Sequence, residues 1–274
     1  MNYRSLFVIA LLIVFSQFKT SAQGELLITP TRVVFKPDNI KEIINLVNTS
    51  EKIETYSVSF VQRRMNEDGS FTVVTKPDPG QNFADSHLRI YPRTITLKPG
   101  EGQVVMLQRR RNSKNKTGEY RSHLYFRSNT DYEALGETLI DTISGVNIKL
   151  TPIYGMTIPI IFRTGNTTAT ATLSDINVES QKDNNLLNFT LNRKGNKSLY
   201  GDFTVKYSTV KGKSITIARL NGVAIYTTIN RRFMTINLPK TPSLNLNEGT
   251  IKIIYKTRPG EQKQIIFAES ILTL

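Results

Sequence analysis

One segment near the middle of the chain alternates apolar and other residues for longer than an ordinary β-strand needs. From residue 146 to residue 162 every even-numbered position is apolar: Val146, Ile148, Leu150, Pro152, Tyr154, Met156, Ile158, Ile160 and Phe162. A period of two predicts a strand with one buried face. Strands usually run about 5 or 6 residues and rarely exceed about 10. The extra length predicts that part of this apolar face serves something other than the domain's own core.

The rest of the 274 residues also reads as short strands separated by turns. One series of strands ends with the long segment, and a second series follows the polar linker at residues 165–168. About seven short strands per 100 residues is the pattern of an Ig-like sandwich. We therefore predict an all-β protein with two tandem Ig-like β-sandwich domains, at residues 24–164 and 169–274.

Three local patterns make this prediction specific enough to check. Asp68-Gly69 is a hairpin turn signal that precedes a short strand at Phe71–Val74. The residues Ile90–Leu97 alternate and predict one strand, which ends before Pro99-Gly100. The residues Tyr120–Phe126 predict another strand after a basic loop.

The N-terminus has the pattern of a secretory signal peptide. Arg4 precedes an apolar run at Leu6–Phe15, and the small residues Thr20-Ser21-Ala22 follow it. The run is too short to span a bilayer, so we predict cleavage of residues 1–22 and export without stable membrane insertion. A retained anchor is the alternative. The chain has no Cys, which excludes disulfides, thiol catalysis and thiolate metal sites.

The charged residues favour binding over catalysis. The net charge of +14 predicts an anionic or acidic partner, and for an exported protein we predict no nucleic-acid partner. The basic loop Arg109–Lys116 is either a docking patch or a solvated loop. His87 and His123 are the only two His, and neither has a second ligand at metal-binding spacing. We therefore predict no enzyme activity, catalytic residue, metal site or cofactor.

The long strand divides most simply near Pro152–Gly155. The half from Met156 onward is predicted to close the domain's own sheet. The half before it, Val146–Tyr154, is predicted to be an edge strand, because Pro152 has no N–H for a central ladder. An exposed apolar edge invites aggregation unless a partner pairs with it. Strand addition to a partner sheet is such a use.

Several stretches of the chain resemble one known family. They are Thr31–Phe35, Leu97–Glu101, Glu119–Phe126 and Ile148–Arg163. Together with the N-terminal signal, these stretches resemble the periplasmic pilus-assembly chaperones of the chaperone–usher type. The amino-acid sequence of Gly155–Ile160 resembles that of a divergent branch of the family. The resemblance is best over Thr31–Thr164, whereas the second domain agrees in length and strand count.

The resemblance implies a mechanism as well as a fold. Members have two Ig-like domains in an L shape with a cleft between them. They lend a long strand to a pilin subunit that lacks one, and they deliver the subunit to an outer-membrane usher. On this basis the chain is expected in the periplasm, with pilin-like subunits and an usher as partners. The lent side chains would be those of Val146, Ile148, Leu150 and Tyr154.

The family also holds the subunit's C-terminal carboxylate in the cleft with one Arg and one Lys. Arg32 matches the Arg by its motif. The Lys does not carry over, because alignment of the strand end places Pro159 there. Arg121 is the candidate replacement by residue type alone. Arg163, which ends the long strand beside the linker, is expected to pair between the domains.

Two other functions fit the same sequence features. An Ig-like surface or adhesion protein could use the same edge strand for its own assembly. A secreted protein could bind an anionic polymer with its basic loop. Whether an unloaded chaperone would cap its strand by forming a dimer is left open by the sequence.

Overall fold

The computed structural model of the chain describes residues 26–110, 116–129, 154–181, 184–240, 246–261 and 263–274. The first eleven strands are β1 (Leu26–Thr29), β2 (Val33–Val34), β3 (Lys41–Asn48), β4 (Glu54–Val61), β5 (Arg63–Met65), β6 (Phe71–Val73), β7 (Leu88–Tyr91), β8 (Thr94–Leu97), β9 (Gly102–Arg109), β10 (Gly118–Ser128) and β11 (Gly155–Thr164). A short 3-10 helix, Asp85–His87, precedes β7. The signal-peptide prediction lies outside the described residues, and none of their helices is long and apolar enough to cross a membrane.

Two sheets pack face to face in the first sandwich. The four-stranded sheet has the order β1-β3-β9-β7, and the five-stranded sheet has the order β2-β11-β10-β4-β8. The strands alternate as the sequence predicts. On β3, for example, Ile44 and Leu46 are buried whereas Ile43 is exposed. The core between the sheets includes Leu107 and Phe162, which are fully buried.

Proline lies at two of the places where the chain moves from one sheet to the other. Pro30 lies between β1 and β2, which pair in different sheets. Pro92 lies between β7 and β8 in the same way. The prediction of one strand over Ile90–Leu97 was therefore wrong. Pro92 has no N–H to donate, so the ladder ends there and the chain crosses to the opposite sheet.

The second sandwich is built from seven longer strands. They are β12 (Ala169–Ser180), β13 (Asn185–Gly195), β14 (Leu199–Ser208), β15 (Ser214–Ile225), β16 (Arg231–Leu238), β17 (Thr250–Lys256) and β18 (Ile266–Thr273). A three-stranded sheet, β12-β13-β16, faces a four-stranded sheet, β15-β14-β17-β18. Phe203, Tyr207 and Tyr255 are fully buried between them. The predicted fold class, all-β with two Ig-like sandwiches, is confirmed.

A separate hairpin projects from the first sandwich. Strands β5 and β6 pair only with each other, through Arg63–Val73 and Met65–Phe71. The predicted turn at Asp68-Gly69 joins them, and Gly69 has the positive φ of 85° that such a turn requires. We call residues 63–73 the β5–β6 hairpin. It lies between the two sandwiches: Met65 packs with Ala224 and Tyr226 of the second, and Phe71 lies beside His123 of the first.

Candidate functional site

The outer face of the five-stranded sheet carries charged side chains that are almost fully buried. Even-numbered residues of β10 enter the first core, so odd-numbered ones point away from it. Glu119, Arg121 and His123 lie on this outward face, yet they are only 3%, 7% and 4% exposed. The second sandwich covers them with Ser198 and Tyr226. The site is therefore a cleft between two sandwiches.

Glu119 is the centre of an ion network in this cleft. Its Oε1 accepts a hydrogen bond from Arg121 Nη2 at 2.7 Å, and its Oε2 accepts one from Arg163 Nε at 3.0 Å. Ser198, in the second sandwich, donates to Oε2 through its backbone N at 3.1 Å and its Oγ at 2.9 Å. Burial opposes ionisation, but the two Arg and these donors lower the pKa of Glu119 to about 2.

The network shows where two predicted residues lie. Arg163 was predicted to pair between the domains; its ion pair is with Glu119 of its own sandwich, and Glu119 makes the contact with the second. Arg121 also donates to Ser198 Oγ at 2.6 Å, and its guanidinium carbon lies 3.6 Å from the centre of the Tyr226 ring. Arg121 Nε and Nη1 are buried without a hydrogen-bond partner in the described part of the chain.

Arg32 lies in the same cleft and has no carboxylate partner among the described residues. It occupies the bend between β1 and β2, and its guanidinium carbon is 4.2 Å from the centre of the Tyr200 ring. Burial and the nearby charge of Arg121 lower the pKa of Arg32 to about 10. Burial and the charge of Arg121 both disfavour the cationic form of Arg32. A bound carboxylate would offset these two effects by pairing with the guanidinium. The two predicted anchor residues are thus brought together.

A cavity of about 250 Å³ opens beside Arg32. Its walls come from both sandwiches and the hairpin, and they include Arg32, Phe71, Pro159, Tyr200, Tyr226 and Arg232. Pro159, which the alignment placed where the family has Lys, therefore does face the cleft. Arg121 does not line the cavity, although it underlies Tyr226.

Arg232 is the residue that sequence reasoning missed. Its Nη1 donates to the backbone O of Ala224, and its Nε is buried without a partner in the described part of the chain. Burial lowers the pKa of Arg232. Position 232 lies in the other sandwich, 200 residues after Arg32, and no motif connects them. Two guanidinium groups with spare donors in one small cavity favour a carboxylate ligand.

His123 has a structural role. Its Nε2 lies 3.1 Å from Tyr226 Oη, and its ring stacks on that of Tyr226. Burial and the charges of Arg121, Arg63 and Arg32 lower the pKa of His123 to about 3, so the ring is neutral at neutral pH. His123 therefore packs the interface between the sandwiches.

The start of β11 is the second part of the site. Val146, Ile148 and Leu150, the predicted lent residues, lie outside the described residues. Tyr154 is described and is 58% exposed, and Met156 on the same face is 38% exposed. Pairing with β10 begins at Gly155, opposite Arg127. The half from Met156 onward therefore lies in the domain's own sheet, as predicted, whereas the use of the half before Tyr154 stays a prediction.

Among the described residues, the other side of β11 is paired with a strand only at Ile160 and Ile161, which lie beside the two-residue strand β2. The carbonyl of Ile161 accepts from Phe35 N on that side, whereas the carbonyl of Tyr154 accepts from Ser128 N on the β10 side. Main-chain groups alternate along a strand. Those of Gly155, Thr157 and Pro159 therefore face the open edge, where a residue without an N–H breaks no internal ladder bond.

The basic loop adds no defined site. Arg109 Nη1 donates to the carbonyl of Pro37 at 3.3 Å, and its guanidinium lies 5.0 Å from the Phe162 ring. Residues 111–115 lie outside the described residues, so the role of this loop stays a prediction. No group of three His, Asp or Glu in the described ranges could hold a metal ion.

Comparison with known proteins finds similar structures and no similar sequences. No protein-family model matches the chain, and no curated protein matches it. The YadV chaperone is similar over 92% of this chain and 100% of that chain, with 10% identity and a TM-score of 0.46. The SafB chaperone of Salmonella enterica, in complex with the SafA pilin, is similar over 93% and 98%, with 13% identity and a TM-score of 0.41.

A third matching structure is the chaperone–tip subunit complex CsuC–CsuE of Acinetobacter baumannii. The similarity covers 89% of this chain and 99% of that chain, with 10% identity and a TM-score of 0.43. Another matching structure, CfaA, is a class 5 fimbriae chaperone, with 13% identity and a TM-score of 0.41.

Proposed function

We propose that this chain is a periplasmic chaperone that captures pilus-type subunits by lending them an edge strand. The observation that carries the proposal is the open edge of β11, from Gly155 to Pro159, next to the exposed side chains of Tyr154 and Met156. An open edge supplies main-chain hydrogen bonds, and alternate apolar side chains supply specificity. Capture by strand addition requires no cofactor and no enzymatic step.

The lent side chains are those of Val146, Ile148, Leu150 and Tyr154. Burial of four such groups in a subunit's groove would contribute about 6–12 kcal/mol before the costs of association. That gain in free energy is large enough to keep an incomplete, aggregation-prone subunit in solution. The cleft cavity then holds the subunit's C-terminal carboxylate between Arg32 and Arg232, with Arg121 adding positive potential behind Tyr226.

The first experiment changes the lent strand. We expect Ile148→Asp with Leu150→Asp to remain folded and to lose its 1:1 complex with a subunit that aggregates alone, because charges do not enter an apolar groove. The matched control is Asn147→Asp with Thr151→Asp, which adds the same charges on the opposite face and retains the complex. If the first variant unfolds, these side chains belong to the chain's own core and the proposal is wrong.

The second experiment changes the carboxylate anchor. We expect Arg32→Ala to weaken subunit capture by about tenfold or more, since a buried charge-assisted bond is lost. Arg110→Ala removes the same charge from the exposed loop and should leave capture unchanged. Intact capture by Arg32→Ala would remove Arg32 from the anchor and leave the strand proposal standing.

Delivery to an outer-membrane usher needs a second surface, and the four-stranded sheet offers one. Ile43, Met106 and Tyr91 lie in register across β3, β9 and β7 on its outer face. Ile43 is 56% exposed and Tyr91 is 71% exposed. The neighbouring row holds Lys41 and Arg89, so the surface suits an apolar partner segment flanked by acidic residues.

The oligomeric state of the purified protein without any subunit distinguishes the chaperone proposal from self-assembly. A chaperone stays as a defined small species and forms a 1:1 complex when a subunit is added. Polymers formed by the chain alone would show that the edge serves its own assembly, and the chaperone proposal would then be wrong.

A further inference from the structure

The β5–β6 hairpin is held against the second sandwich at its tip. Phe233 N donates to the carbonyl of Glu67 at 2.7 Å, and the Glu67 carboxylate pairs with Arg231 at 3.2 Å. Gly69 lies directly against the guanidinium of Arg232. At the tip the hairpin therefore touches the same strand, β16, that supplies Arg232 to the cavity.

The tip has its own network of hydrogen bonds. Asp68 Oδ1 accepts hydrogen bonds from the backbone N of Ser70 at 2.9 Å and from its Oγ at 2.6 Å. Asn66 Nδ2 donates to Ser70 Oγ and to Thr72 Oγ1, both at 3.0 Å. These bonds fix the turn independently of the sandwiches, so the position of the hairpin is set by its base and its tip contacts.

The inner side of the hairpin is apolar. Met65 is 1% exposed and packs in a small cluster with Ala224 and Tyr226. Phe71, its cross-strand neighbour, lies 5.4 Å from the Tyr226 ring and 6.0 Å from the His123 ring. Phe71 nevertheless keeps 43% of its surface exposed, and it lines the cavity beside Arg32. Its free ring surface therefore has room for a contact.

The cavity joins two chemistries at one point. Arg32 and Arg232 favour a carboxylate, whereas Phe71, Tyr226 and Met65 favour an apolar group within a few ångströms of it. Its volume of about 250 Å³ equals that of about eight waters, which is room for one or two amino-acid residues. A chain end with an apolar last side chain combines both groups in that space.

We propose that the β5–β6 hairpin determines the specificity of the cavity, and that Phe71 selects an aromatic or large apolar residue at the C-terminus of the bound protein. This inference rests on the proposed anchoring of a terminal carboxylate. The contacts of Glu67 with Arg231 and Phe233 hold the hairpin beside Arg232. Phe71 is the group that touches the ligand, and Glu67 is a positioning residue.

The test uses three short peptides and the full chain. The peptides are acetyl-Gly-Ser-Gly-Phe with a free carboxylate, the same sequence ending in Ala, and the Phe peptide with a terminal amide. Calorimetry on the unaltered protein should show about tenfold tighter binding of the Phe peptide than of the Ala peptide. In Phe71→Ala this preference should fall below about twofold, while the Ala peptide binds as before.

Matched variants keep the result interpretable. Val73→Ala removes an exposed apolar side chain from the same strand outside the cavity, and it should keep the preference. Phe71→Leu should keep part of the preference, and unchanged melting temperatures would show that each variant is folded. Loss of preference in Val73→Ala as well would overturn the role of Phe71.

Failure of this inference differs from failure of the proposed function. If Phe71→Ala keeps its preference and subunit capture is normal, the hairpin proposal is wrong and the chaperone proposal stands. If the unaltered protein prefers neither the Phe end nor the free carboxylate, the carboxylate anchor and the hairpin proposal both fail. Capture through the lent strand would still be decided by the Ile148 and Leu150 variant.

Discussion

The two outer faces of the first sandwich are opposites. On the five-stranded sheet, Glu119, Arg121 and His123 point away from the core and are buried. On the four-stranded sheet, Ile43 and Tyr91 point away from the core and are exposed. Charged residues are rarely buried without partners, and large exposed apolar patches usually mark interaction sites. The first face has its partner within the chain, whereas the second has none among the described residues.

We call the outer face of the five-stranded sheet the covered face, because the second sandwich covers it. The largest expected effect comes from disrupting the ion network on this face. Glu119→Gln leaves the buried Arg121 without a carboxylate and removes the ion pair of the partly exposed Arg163, which should cost about 3–5 kcal/mol in the free energy of unfolding. Urea denaturation measures this loss. Glu42→Gln is the control: the Glu42 carboxylate accepts a hydrogen bond from the exposed Asn39, and the change should alter stability by less than about 0.5 kcal/mol. A loss below about 1 kcal/mol for Glu119→Gln would mean that packing alone holds the sandwiches together.

Low pH should give the second-largest loss of stability, because it protonates buried groups on the covered face. His123 has a folded-state pKa of about 3, below its ordinary value of 6.5, so its contribution is complete above pH 6.5 and is lost as the pH falls toward 3. The resulting loss in the free energy of unfolding is about 2 kcal/mol between pH 6.5 and 4.5. Glu119 continues the loss from its ordinary pKa of 4.5 down to about 2.

A variant isolates the His contribution. In His123→Gln, the loss of stability between pH 6.5 and 4.5, measured by thermal unfolding, should be clearly smaller than in the unaltered protein, because His123 no longer takes up a proton on unfolding. The remaining loss comes from His87, whose pKa is also lowered by burial. The decline below pH 4.5 should remain. If the variant and the unaltered protein lose stability in parallel above pH 4.5, a different group controls the acid response.

The hairpin gives a smaller effect at the margin of the covered face. Gly69→Ala places a Cβ against the Arg232 guanidinium and strains a backbone at φ 85°, so we expect a loss of about 1–3 kcal/mol. Gly80→Ala is a matched control, since Gly80 has φ 79° and open space around it. The difference between the two variants measures the contact with Arg232. Equal losses would show that the Arg232 guanidinium moves aside at no cost.

The exposed face should give the smallest change in stability. Ile43→Asp with Tyr91→Asp removes no core contact, so the free energy of unfolding should shift by less than about 0.5 kcal/mol. Subunit capture should persist, while transfer of the captured subunit to usher-containing vesicles should fall. If transfer is unchanged, this face is not the usher-facing surface. If stability drops by several kcal/mol, the face belongs to an internal interface.

Local patterns in the sequence predicted most of the fold. Alternation identified the strands, and Asp68-Gly69 identified the turn, because both follow from backbone geometry over a few residues. Alternation also placed Met156–Phe162 in the domain's own sheet, whereas the predicted division of the long strand depends on residues outside the described ranges. The error at Ile90–Leu97 arose because alternation does not tell which sheet each half of a strand joins, and Pro92 lets the chain change sheets.

The sequence by itself determined an all-β chain with two sandwiches, a strand longer than its domain needs, and Arg32 as a candidate cation. Only the tertiary structure decided that Arg232 and Phe71 stand beside Arg32, and that Arg121 is held by Glu119. The physical reason is distance along the chain. Strand patterns are set by neighbouring residues, whereas the cleft is formed by side chains up to 200 positions apart, which meet only when two sandwiches and a hairpin pack together.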